Sequence, residues 1–156
     1  MDRLLFRLQV AVLAIGTAFA WFTLVGDYRR FFSAGGHAFE WSGCAVTNPL
    51  LTPCFYGALA FLAGFVWALV LLRSAREAVA GRQRGLNWLL AAGTVFAWSN
   101  FAYEVFLFSR QRPASAFSCP PPGQVAVHPL LAPCFYGALI FLAAWAISLL
   151  ILRTRR

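Results

Sequence analysis

The chain contains no lysine. All thirteen of its basic residues are arginine, against five acidic residues and two histidines. Charged residues make up only 12% of the 156 positions, where a soluble domain carries about 25%. That scarcity, with 61% apolar residues, excludes an ordinary water-soluble globule and leaves no stretch that reads as a soluble second domain. No two cysteines stand in a Cys-x-x-Cys spacing, and there is no phosphate loop, HExxH-type segment or nucleophile–base constellation. Ordinary hydrolase and kinase chemistry is therefore unsupported. No metal site is expected, because four cysteines and two histidines without short spacings do not make a zinc motif. The exclusive use of arginine points to a GC-rich genome rather than to a function. The net charge of +8 follows from membrane topology, so no nucleic-acid partner is expected.

What the chain does have is four long apolar segments: about Leu8 to Val25, Phe55 to Leu72, about Leu86 to Phe108, and Phe135 to Leu152. At 1.5 Å per residue, about 18–20 residues of helix cross a ~30 Å hydrocarbon layer. Backbone groups in lipid must be bonded within the segment, so each is expected to be a helix. Arg3 and Arg7 before the first segment resemble the start of a secretory signal. The same segment has a counterpart later in the chain, so it is read as the first membrane helix. Nine arginines (3, 7, 73, 76, 82, 84, 153, 155 and 156) fall at the termini and the middle loop, and four (29, 30, 110 and 112) in the other two loops. The positive-inside rule then puts both termini in the cytoplasm. The expectation is an integral protein of a bacterial cytoplasmic membrane, with its cysteine-bearing loops on the extracytoplasmic side.

The segments come in two copies. Asn48 to Leu59 reads NPLLTPCFYGAL and His128 to Leu139 reads HPLLAPCFYGAL. Upstream, Gly16 to Trp21 (GTAFAW) matches Gly93 to Trp98 (GTVFAW), and Asp27 falls in register with Glu104. The fold expected is all-α: a four-helix transmembrane bundle from tandem duplication of a two-helix hairpin. Residues 1–80 form the first repeat with outer loop 26–54, and 81–156 the second with outer loop 109–134. Each repeat has two spans, so both copies point the same way, about a pseudo-two-fold axis along the membrane normal. Gly16 with Ala20, and Gly93 with Ala97, are small-xxx-small pairs for close helix packing. Gly57, Ala60, Gly64 and Ala68 form a small-residue stripe on the second helix; on the fourth the stripe is Gly137, Ala144 and Ser148, interrupted by Ile140. Trp41 and Trp88 are read as belt residues at opposite interfaces.

The four cysteines lie in or at the ends of the two outer loops. Cys44 and Cys54 are separated by nine residues, Cys119 and Cys134 by fourteen. Even pairs on an oxidising face suggest one disulfide per loop. The duplication favours Cys44–Cys54 and Cys119–Cys134, while crossed pairing stays open because spacing does not fix connectivity. A loop closed in this way stabilises by about 3 kcal/mol. Cys54 and Cys134 each open an expected helix, where the partial positive charge of the N-terminus favours a thiolate. All four are thus redox candidates. In topology and cysteine count the chain resembles the quinone-linked disulfide oxidoreductases of the disulfide bond formation protein B and vitamin K epoxide reductase families. These are four-helix membrane bundles with two outer cysteine pairs, one of them a Cys-x-x-Cys that this chain lacks. In disulfide bond formation protein B the active pair also opens the second helix. The resemblance implies a quinone cofactor; without it, none is expected.

Three polar positions are further site candidates. Asp27 and Glu104 lie near the outer ends of the first and third helices, as an ion or proton site or as partners of Arg29, Arg30 or Arg110. Asn100, in register with Thr23, is interhelical glue or part of a polar pocket. His37 and His128 occupy non-equivalent loop positions. Outer loop one is rich in aromatics (Phe31, Phe32, Phe39, Trp41) and outer loop two holds the rigid turn Pro120 to Gly123. The functional expectation is a non-enzymatic accessory or assembly subunit whose disulfide-tied outer loops meet a protein partner, or which forms a homo-oligomer through its small-residue faces. Two other classes stand beside it: a quinone-linked membrane thiol–disulfide oxidoreductase, and a small transporter or channel with a site between the repeats.

Overall fold

The computed structural model describes residues 2–33, 35–37, 48–73, 76–110 and 129–154. Four long helices make up nearly all of it: α1 (Asp2–Ser33), α2 (Pro53–Arg73), α3 (Arg76–Ser109) and α4 (Pro133–Arg153). Three of them, α1, α2 and α4, are long and apolar enough to cross a membrane. The third, α3, is as long as α1 but carries Asn87, Asn100 and Glu104 among its apolar residues.

The helices outrun the apolar segments that mark them. α1 continues past Val25 to Ser33, so residues 26–33, expected in a loop, are helical. Hydropathy marks what lipid would cover, whereas a helix goes on as long as its local bonds hold. Here Arg30 pairs with Asp27 one turn back, and Ser33 Oγ donates to Arg30 O. α3 likewise begins at Arg76 rather than near Leu86. The segment REAVAGRQR is charged, yet it is rich in good helix formers. The expected arginine-rich middle loop is therefore mostly the first turns of α3.

The duplicated segments adopt one local structure. A 3-10 turn over Pro49–Leu51 leads into α2, and another over Pro129–Leu131 leads into α4. Asn48 caps the first, its Oδ1 accepting from Leu50 N at 3.0 Å. Pro53 and Pro133 then open the long helices; proline suits that position because its missing N–H would have no helical partner there. The same side-chain bonds recur in both copies of the other hairpin arm. Thr17 donates to Leu13 O and Thr94 to Leu90 O, each at 2.7 Å; Thr23 donates to Phe19 O and Asn100 to Phe96 O.

Each of α1 and α3 packs against both α2 and α4, and α2 and α4 also touch each other across the bundle. Their buried faces correspond position by position: Ala58, Phe61, Gly64, Ala68 and Leu71 on α2, and Ala138, Phe141, Ala144, Ser148 and Ile151 on α4. Two expected small-residue positions have a definite use. A Cβ built on Gly16 would lie 2.5 Å from the Phe61 ring, and one on Gly93 would lie 2.6 Å from the Phe141 ring. Each glycine thus seats the phenylalanine of its own repeat. Ile140, which interrupts the α4 stripe, rests its Cγ2 methyl over Gly16. The bundle's outside is apolar as well: only 28% of the apolar window of α2 and of α4 is buried, and Phe22, Ile15 and Val95 are more than half exposed.

Candidate functional site

The first turns of α2 and α4 bring Cys54 and Cys134 together, with their sulfurs 3.4 Å apart. They are eighty residues apart in sequence and occupy equivalent places in the two repeats. Each follows the proline that opens its helix, so the meeting of the two duplicated segments makes the pair. Both are free thiols and half-buried. Cys44 and Cys119, expected to bridge to them within each loop, lie outside the described residues, as do Phe39, Trp41, the Pro120 to Gly123 turn and His128.

Beneath the thiols lies a cavity of about 70 Å³. Gly57 and Gly137 line its sides; a Cβ built on either would meet nothing within 4 Å. Its walls also include Phe61 and Phe141, which stack with ring centroids 3.8 Å apart and planes 23° from parallel. Asn100 is its one polar lining residue besides the thiols, and that amide donates to Phe96 O of its own helix at 2.8 Å rather than bonding across helices. Neither Asp27 nor Glu104 lines the cavity.

The two acids in register have different surroundings. Asp27 is held by Arg30 of its own helix. Glu104 has no such arginine: Phe106 and Leu107 stand where the first repeat has Arg29 and Arg30. Arg110, a possible partner from sequence, lies over the Phe106 ring at 4.7 Å. Glu104 is half-buried. Among the described residues no group of three or more histidines, cysteines or acids is arranged to hold a metal ion. His37 is exposed.

A second buried polar group went unread in the sequence. Gln83 Nε2 donates to Gln9 Oε1 at 3.3 Å and to Ser148 Oγ at 3.0 Å, and all three side chains are fully buried. Gln83 sits between Arg82 and Arg84, so it reads as a solvated loop residue. It is buried because α3 starts earlier than the hydropathy suggests. The remaining signal was Gln9, a lone amide at the start of an apolar run. In register, Gln9 stands where the other repeat has Leu86, and Gln83 where it has Phe6. The group therefore breaks the internal symmetry.

Comparison with known families, with curated proteins and with solved structures finds no match.

Proposed function

We propose that this chain is an integral membrane thiol–disulfide exchange protein whose working pair is Cys54 and Cys134. The observation that carries the reading is the 3.4 Å approach of two thiols, one from each repeat, at the first turns of two helices. The apolar outer surface of the bundle and the three helices of spanning length support insertion in a lipid bilayer. The arginine distribution supports an orientation with both termini in the cytoplasm and the thiol pair on the oxidising side.

The reaction is an exchange with the disulfide of an extracytoplasmic protein. Cys54, its proton released to water, attacks one partner sulfur and forms a mixed disulfide, and the partner's other sulfur leaves as a thiolate. The Cys134 sulfur then attacks Cys54, the intramolecular bond forms, and the second partner thiolate leaves. Two electrons pass from the thiol pair to the partner, and the reverse sequence returns them. The space between the thiols and the phenylalanine stack lends no support to a quinone at that place. The cavity there is about 70 Å³, roughly half of the ~150 Å³ that admits benzene. No step is routed through one.

The test uses the full chain in detergent with a thioredoxin-type disulfide protein. Cys134→Ser is expected to accumulate a mixed disulfide at Cys54, and the unaltered chain to return partner dithiol. An absence of both products, with the pair still accessible to a small maleimide, would remove the exchange reading. A second reading, a scaffold subunit, is favoured by the Phe61–Phe141 stack directly below the pair, which would let a Cys54–Cys134 bridge serve as a fixed tie between the repeats. A reduction potential below about −300 mV for that bridge would select the scaffold.

A further inference from the structure

We propose that a groove along the outward face of α2 holds one acyl chain of an anionic phospholipid, with the lipid phosphate on Arg82. The inference rests on the bilayer part of the proposed function and is independent of thiol exchange. The groove has a volume of about 570 Å³. Leu59, Leu62, Ala63, Val66, Trp67 and Val70 of α2 line it, together with Arg82 of α3. Its wall is therefore hydrocarbon and one indole, with a single charged group. That charge stands at one end. The Trp67 ring lies on the α3 backbone, where a Cβ built on Gly85 would be 2.8 Å from its Cζ2. Arg82 is one turn before Gly85, on the side where α2 ends at Arg73 and α3 begins at Arg76. From Val70 to Leu59 the helix rises roughly 16 Å. That is about half of a ~30 Å hydrocarbon layer, the depth of one leaflet.

The duplication supplies the comparison. Where α4 meets α1, the other repeat has Leu5 in the place of Arg82, Leu8 in the place of Gly85 and Ile147 in the place of Trp67. The charged end and the glycine under the indole thus belong to one copy only. The packing that both copies share does not require them. The charge around the groove also matches the ligand. From Arg73 to Arg84 the sequence holds four arginines and one acid, Glu77. Basic clusters at the cytoplasmic end of a membrane helix attract anionic lipids. A guanidinium meets a phosphate through two parallel N–H donors. An apolar helix of a second copy would cover the wall but set Arg82 against hydrocarbon. A phospholipid covers the wall and meets the charge.

The experiment takes the full chain in detergent and titrates it with phosphatidylglycerol or phosphatidylcholine of the same acyl chains, with bound lipid counted by native mass spectrometry. The unaltered chain is expected to hold one phosphatidylglycerol about fivefold more tightly than phosphatidylcholine. Arg82→Leu, which copies the other repeat, is expected to erase that preference. Arg84→Leu removes the same charge outside the groove and is expected to keep most of it. Ala63 is exposed, so Ala63→Trp fills the groove from its open side. That variant is expected to lose the bound lipid and to keep its melting temperature, followed by circular dichroism. Equal losses in Arg82→Leu and Arg84→Leu, or unchanged lipid binding in Ala63→Trp, would overturn the assignment. Dimers that Ala63→Trp separates would give the groove to a second copy and overturn it as well. A chain that alkaline carbonate washes out of membranes would remove the bilayer reading itself. A chain that stays in the membrane but shows no preference at Arg82 would remove the lipid site alone.

Discussion

Phe61 and Phe141 stack between α2 and α4 with ring centroids 3.8 Å apart, and each ring covers the glycine of its own repeat, Gly16 or Gly93. The duplicated hairpins meet through this stack, and the thiol pair sits above it. Truncating either ring opens a buried void. Phe61→Ala or Phe141→Ala is expected to destabilise the bundle by about 3–5 kcal/mol. The double variant should fall short of the sum, because the two rings share one contact. Helix loss on titration with a denaturing detergent, followed by circular dichroism, measures both terms.

The glycines divide into two kinds. Gly16→Ala and Gly93→Ala would push a methyl into a phenylalanine ring and are expected to destabilise by about 1–3 kcal/mol. Gly57→Ala and Gly137→Ala add a methyl to open space in a helix and are expected to be neutral or stabilising by up to about 1 kcal/mol. The same denaturation assay separates them, and similar losses at Gly16 and Gly57 would refute the packing described.

Gln83 holds α3 to both α1 and α4 through one amide. Gln83→Leu leaves Gln9 and Ser148 buried without that partner, and is expected to cost about 1–3 kcal/mol. The triple variant Gln9→Leu, Gln83→Leu, Ser148→Ala removes every member and should recover most of the loss. Melting temperatures of the single and triple variants in the same detergent check this; a triple variant weaker than the single would overturn it.

The proposed orientation puts residues 74–75 and both termini on one side of the membrane. A cytoplasm-active reporter fused after Arg156, or inserted between Ser74 and Ala75, is expected to be active, and an export-dependent reporter at the same places silent. The reverse pattern at either position would invert the arrangement and place the thiol pair in the cytoplasm.

Much of the architecture was legible because the helices carry long apolar runs. All four helices lie where those runs lie, and the repeat was visible in the doubled segment around Cys54 and Cys134. The helix ends were not legible. Charged residues outside a span carry no hydropathy signal, yet Arg30 with Asp27 keeps α1 going, and REAVAGRQR starts α3 early. That early start also hid Gln83. At the site, sequence singled out Cys54, Cys134, Asp27, Glu104 and Asn100 one by one, but not their groupings. The duplication favours Cys44 and Cys119 as within-loop partners, and spacing alone leaves the connectivity open.

The sequence by itself determined the doubled hairpin, the four helices and the placing of one cysteine at the start of each repeat's second helix. These are local matters of hydropathy, proline position and internal likeness, and each can be read within one segment. Only the tertiary structure decided that those two cysteines face each other, that Asp27 is engaged by Arg30, and that two phenylalanines close the space below. Those relations depend on how the α2 and α4 faces meet across the bundle. That meeting is set by the fit of Phe61 over Gly16, Phe141 over Gly93 and Ile140 beside them, contacts between residues far apart along the chain.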